Sequence, residues 1–143
     1  MNLPKPLRRL ALPALLIVPL GLGMGLALSS GPGAQTADAV TLQAARDAHE
    51  AGRAVLIDIR EPNEHARGVA AGARLLPMSQ LPQRLAEIPT DPAMPVLLIC
   101  NTQNRSSATL KALRQQGYAH VRYVDGGMAA WVRRGWPVVP PGP

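Results

Sequence analysis

The sequence predicts an α/β domain: a small parallel β-sheet flanked by helices on both faces, preceded by an apolar N-terminal segment. Three observations predict it. From Thr41 onward, helix-like and strand-like stretches alternate, the order that parallel βα units impose. Two short runs, AVLIDIR at 54–60 and PVLLIC at 95–100, are apolar at almost every position rather than at every second one. Strands covered on both faces read this way. Each run then stops abruptly, the first in EPNEH and the second in NTQN.

Residues 1–34 read as a leader. Lys5, Arg8 and Arg9 make a positive start, and the uncharged run at 10–28 comes next. That run approaches the ~20 residues that span a bilayer and exceeds an ordinary signal core. Pro13, Pro19, Gly21, Gly23 and Gly25 weaken it as a helix. Ala27-Leu28-Ser29 offers small residues for cleavage, and Ala37-Asp38-Ala39 fits the small-x-small rule further on. Two outcomes stay open, a cleaved signal peptide or an uncleaved membrane anchor. Both keep the positive flank inside and export the domain. The expected location is the periplasm, either soluble after cleavage or tethered to the inner membrane. Residues 35–40 read as a linker, 41–139 as the folded domain, and 140–143 as a proline-rich tail.

Within the domain, Thr41 caps a helix through LQAARDAHEA, and Gly52 stops it. AVLIDIR is a buried strand that ends in charge. Pro62 prevents it from continuing, because proline has no N–H for a ladder. Residues 66–73 carry two glycines and read as a loop, and RLLP at 74–77 reads as a short strand. SQLPQRLAEI at 79–88 is helical with a proline near its start, and TDPAMP is a turn. PVLLIC is the second buried strand. RSSATLKALRQQ at 105–116 is a helix stopped by Gly117. HVRYVD at 120–125 alternates as a strand, GGMAAWVRRG turns on two glycines into a short helix, and WPVVPPGP forms no long element.

Composition excludes several classes of function. The net charge is +6, but three of the 15 basic residues lie in the leader, leaving 12 against 9 acidic ones. No basic run exists, and two Trp, two Tyr and no Phe offer little for stacking on bases, so nucleic acid is not an expected partner. One Cys and three dispersed His have no metal-ligand spacing, and no metal or other cofactor is expected. A single cysteine cannot form a structural disulfide within the chain, although export favours disulfides. Cys100 is therefore either a buried, inert core residue or a thiol in use.

Its position favours use. In open parallel sheets, chemistry collects where strands end at their carboxyl side, and Cys100 ends the second apolar run just before a helix. A helix start presents unpaired N–H groups and partial positive charge. A curled loop adds further inward N–H groups, forming an anion nest. Such a cradle stabilises a thiolate, or a persulfide anion, with no histidine, metal or second cysteine.

Three segments in order extend this reading. They are Asp58-Ile59-Arg60-Glu61-Pro62 with Glu64, Gly68 and Gly72-Ala73; Cys100-Asn101-Thr102-Gln103-Asn104-Arg105-Ser106; and Tyr123-Val124-Asp125-Gly126-Gly127 through Trp131, Gly135 and Pro137-Val138. On these the chain resembles the rhodanese-like sulfurtransferases, single-domain and exported in type, over roughly the whole of 40–139. The resemblance implies a small parallel sheet with flanking helices. It also implies Cys100 as the catalytic nucleophile, with Asn101 to Ser106 as the loop that binds substrate. Cys100 would take the outer sulfur of thiosulfate, polysulfide or a related anion and pass it to a thiol or cyanide. Asn101 stands where the family often has a basic residue, Gln103 where it often has Gly, and Gly68-Val69-Ala70-Ala71-Gly72-Ala73 where it often has a histidine-bearing turn.

The supporting residues keep two readings each. Arg105 either meets the anion or braces the loop through carbonyls or a carboxylate such as Asp58 or Glu61. Ser106 is expected to cap the next helix. Asp58 and Arg60 are expected to be a structural pair. Rival classes remain. A Cys-based phosphatase places Arg six residues after Cys, whereas Arg105 comes five after Cys100. A Cys–His hydrolase needs a base from His49, His65 or His120. The main alternative is a non-enzymatic sulfur carrier or partner-binding module at the membrane, for which Asn101 and Gln103 speak.

Overall fold

The computed structural model describes residues 37–142. The leader reading at 1–34, Gln35 and Thr36 of the linker reading, and Pro143 of the tail reading lie outside the described residues.

Five strands, β1 (Ala39–Val40), β2 (Val55–Asp58), β3 (Arg74–Leu75), β4 (Val96–Ile99) and β5 (Val121–Val124), form one sheet in the order β1-β5-β4-β2-β3. Every strand pair is parallel, with Leu98 of β4 opposite Ile57 on one side and Tyr123 on the other. The connections hold α1 (Leu42–Glu50), α2 (Pro62–His65), α3 (Leu81–Arg84) and α4 (Asn104–Gln115), and α5 (Gly127–Arg133) follows β5. This is the expected parallel sheet with helices on both faces.

The side-chain period of two explains the unbroken apolar runs. Along β4, Leu97 and Ile99 join Leu42 of α1, Leu56, Val124 and Trp131 of α5 on one face. Val96 and Leu98, with Cys100 just past the strand, join Ile57, Leu81 of α3, and Leu110 and Leu113 of α4 on the other. All four β4 residues are buried, so no position is left for a polar side chain. Each Leu or Ile so buried stabilises the fold by about 1.5–3 kcal/mol before ordering costs. The central strand thus carries Cys100 on a base that is buried at every position.

Several local expectations hold. Thr41 caps α1, its hydroxyl accepting the Ala44 N–H at 3.3 Å. Gly117 takes φ +92° after α4, a conformation that L side chains rarely adopt. Pro62 opens α2 at a helix start, where its missing N–H costs nothing. Others need correction. Ala39 and Val40, at the end of the predicted linker, are an edge strand paired with Tyr123 and Val124. The helical piece at 79–88 is one turn of α3 between 3-10 turns at Met78–Gln80 and Leu85–Glu87. β5 does not alternate. Val121 and Val124 are buried and the two residues between them half-buried, because its edge partner β1 is only two residues long. The proline-rich end stays irregular apart from one antiparallel bridge, in which Val69 and Val139 exchange N–H···O bonds of 2.9 Å.

Candidate active site

Cys100 lies directly after β4 and is buried, 1% exposed. Residues 101–103 curl, and α4 begins at Asn104. Among the described residues, the backbone N–H groups of Asn101 through Ser106 have no hydrogen-bond partner. Helix geometry accounts for the last three, which precede the first intrahelical bond. The Cys100 thiol donates to Ser106 Oγ at 3.4 Å, and Ser106 Oγ donates to the Gln103 carbonyl at 3.2 Å. Ser106 therefore lies inside the first turn of α4, facing the thiol. The expectation that it caps the helix is corrected: Gln103 is the N-cap, without a side-chain cap bond. Gln103 has φ −137°, so the loop closes with no left-handed residue where a glycine is often found.

The start of α5 fastens the loop from below. The Met128 N–H donates to the Cys100 carbonyl and the Ala129 N–H to the Asn101 carbonyl, both at 2.8 Å. This close approach requires Gly127. Its φ is +56°, and a Cβ there would run into the carbonyl oxygens of Thr102 and Cys100. The glycine pair singled out in the sequence is thus a turn that lets backbone touch backbone.

Charged residues brace the other side. Asp58, fully buried at the end of β2, receives Arg60 Nη2 at 2.6 Å and Nε at 3.0 Å, and Arg60 Nη2 also donates to the Gly68 carbonyl at 2.9 Å. His65 completes this cluster, its Nε2 3.4 Å from Asp58 Oδ1 and without a hydrogen bond. Asp58 and Arg60 thus form a buried ion pair. Arg105 is also a brace, but its partner is Glu64 rather than Asp58 or Glu61. Its two terminal nitrogens meet the two Glu64 oxygens at 2.7 Å each. These bonds, with the Glu61 N–H donated to Glu64 at 3.0 Å, hold the Glu64 carboxyl down at about 2 from its ordinary 4.5, against the opposing effect of burial. Glu64 likewise holds the Arg105 proton more firmly than usual, with a smaller contribution from charge on Cys100. Glu61 accepts the N–H and hydroxyl of Ser79 at 3.1 and 2.7 Å.

Beside the loop opens a cleft of about 370 Å³. Asn101, the residue after the cysteine, lines it together with Gly68, Met128 and Val138. Arg67 and Arg133 also line it, and the sequence singled out neither for a role at the cysteine. Of the three histidines, only His65 joins this neighbourhood. His49 bonds the Ala71 carbonyl and His120 the Pro89 carbonyl. No cluster of His, Cys, Asp and Glu able to hold a metal exists among the described residues.

Comparison with known proteins agrees with this geometry. Residues 41–134 match the family model described as Rhodanese-like domain. A protein named sulfurtransferase from Allochromatium vinosum is 42% identical over 87 residues, which cover 61% of this chain and 79% of that protein. A rhodanese-related protein from Thermoplasma volcanium has a crystal structure that superposes with a TM-score of 0.62 at 30% identity, covering 73% of this chain and 99% of the other. The solution structure of a polysulfide-sulfur transferase homodimer from Wolinella succinogenes superposes with a TM-score of 0.59 at 28% identity, covering 71% and 77%.

Proposed function

The chain belongs to the rhodanese-like domain family, and on that premise we propose that it is a sulfurtransferase carrying sulfane sulfur as a persulfide on Cys100. The observation that carries this reading is the loop itself: a thiol at the end of the central strand, followed by six backbone N–H groups that are unpaired among the described residues. Fixed N–H dipoles stabilise anionic sulfur without reorganising. In the first half-reaction the Cys100 thiolate attacks the outer sulfur of thiosulfate. The sulfur–sulfur bond of the donor breaks, and its electron pair leaves with sulfite. In the second, a thiolate or cyanide attacks the outer sulfur of the persulfide, and the electron pair of that bond returns to Cys100 Sγ. Neither step needs a general acid, because the leaving groups depart as stable anions. Polysulfide is the other donor in scope, supported by the likeness to the Wolinella protein.

The test is intact-mass measurement of the full chain after exposure to thiosulfate and, separately, to polysulfide, without reductant. The expected result is a gain of one sulfur atom that cyanide removes and that Cys100→Ala lacks. Failure to load from both donors rejects the reading. A second reading rests on Asn101 and Gln103, which depart from the usual loop: the domain loads sulfur but serves as a carrier or binding module for one partner protein. Loading without turnover to small acceptors would select it. The uncharged run at 10–28 behind Lys5, Arg8 and Arg9 supports an exported, periplasmic location. Cell fractionation with N-terminal sequencing tests that location and distinguishes a cleaved leader from a membrane anchor.

A further inference from the structure

We propose that Arg67 and Arg133 select the sulfur acceptor, and that this acceptor is a small organic thiol bearing carboxylates. The proposal rests on the sulfurtransferase reading above and deepens it.

Charge accounting in the cleft is the first ground. Four of the charged groups at or beside it are already spent. Arg60 is committed to buried Asp58 and to the Gly68 carbonyl. Glu64 is committed to Arg105 through two bonds of 2.7 Å. Arg67 and Arg133 remain: both are exposed, both line the cleft, and neither makes a side-chain hydrogen bond or ion pair among the described residues. Two guanidinium groups facing one opening without counter-charges favour a carboxylate there, and their planar forks match its geometry.

Size and apolar lining are the second ground. The cleft holds about 370 Å³, within the ~300–1,000 Å³ range of sites for organic ligands. Met128, Val132 and Val138 line it alongside the arginines, with Val132 59% exposed and Val138 39% exposed. Thiosulfate, a compact tetrahedral anion, leaves most of that volume and those methyl groups unused. A thiol with a short carbon skeleton uses both: its chain lies on the valines, its carboxylates meet the arginines, and its sulfur reaches past Asn101 to the persulfide. The acceptor thiol loses its proton to solvent. Its thiolate then bonds to the outer sulfur of the persulfide, and the electron pair of the broken bond stays on Cys100.

Single-turnover discharge isolates this step from loading. The full chain, preloaded with sulfur from polysulfide, is mixed with mercaptosuccinate or with its dimethyl ester, and sulfur loss is tracked by mass. In Arg67→Gln/Arg133→Gln, the ratio of the rate with mercaptosuccinate to the rate with the ester should fall by about tenfold or more, as loss of a charge-assisted hydrogen bond implies. Arg67→Lys/Arg133→Lys should recover part of it. An unchanged ratio overturns the proposal. A binding readout needs no loading: Cys100→Ser is titrated with S-methylmercaptosuccinate by calorimetry. Saturable binding that the double Gln change abolishes supports the assignment, and absence of saturable binding overturns it. Were no donor to load the wild-type chain, the sulfurtransferase reading would fail while this titration still decided what the cleft binds.

Discussion

Replacing Glu64 by Gln keeps the shape of the side chain and removes the charge that Arg105 grips. The gripped carboxyl titrates at about 2 in the folded chain against an ordinary 4.5. At about 1.36 kcal/mol per pH unit, that difference sets a ceiling of about 3.4 kcal/mol. Both side chains remain partly open to water, Arg105 by 32% and Glu64 by 22%, and solvent screening reduces the contribution to about 1–2 kcal/mol. The direction of the shift sets the sign. A carboxyl held below its unfolded value stabilises fully above pH 4.5, and that contribution is lost as pH falls toward 2. Urea titrations of wild type and Glu64→Gln should therefore differ by about 1–2 kcal/mol at pH 7 and converge only as pH falls to about 2. Subtracting the two proteins removes the other carboxyls that titrate in the same window. A gap that stays constant from neutral to acid pH, or no gap at pH 7, would refute the claim that this ion pair ties α2 to the cysteine loop.

Three other changes probe the frame of the site. Gly127→Ala places a methyl group against the Thr102 and Cys100 carbonyls at φ +56°; thermal melts should show a loss of at least about 1–3 kcal/mol, and a stable variant would mean that α5 does not press on the loop. Asp58→Asn leaves the Arg60 guanidinium, 7% exposed, without its counter-charge, and a cost of about 3–5 kcal/mol is expected in denaturant titrations. Ser106→Ala removes the hydroxyl that faces Sγ at 3.4 Å. Sulfur loading measured by mass should slow about fivefold, the equivalent of roughly 1 kcal/mol, with the folding midpoint nearly unmoved.

The central strands were legible because burial on both faces writes itself into composition: VLID and VLLI have almost no polar position. The cysteine loop was legible for a related reason, since an apolar run that stops at Cys100 marks a strand end. β1 was hidden, because Ala39 and Val40 become a strand only by pairing with β5, some eighty residues later. The partner of Arg105 was hidden by distance, Glu64 being 41 residues away. One local signal existed: Glu61-Pro62-Asn63-Glu64 is a helix-start pattern, and it turns Glu64 back toward the strand ends. Arg67 and Arg133 carried no such signal. Each looks like an ordinary surface arginine, and only the fold brings them to one opening.

Residues 137–140 hold one side of the cleft against Gly68 and Val69. Val139 is stitched to Val69, and Val138 crowds Gly68 so closely that a Cβ there would meet its Cγ2 at 2.7 Å. One jaw of the cleft is thus the last irregular stretch of the domain, while the nucleophile belongs to its innermost strand. The two belong to separate parts of the fold. Substitutions near Pro137–Pro140 would reshape the jaw without touching a residue that pairs in the sheet, whereas a change beside Cys100 meets a strand buried along its whole length. The width of the opening and the setting of the thiol can therefore be tuned independently.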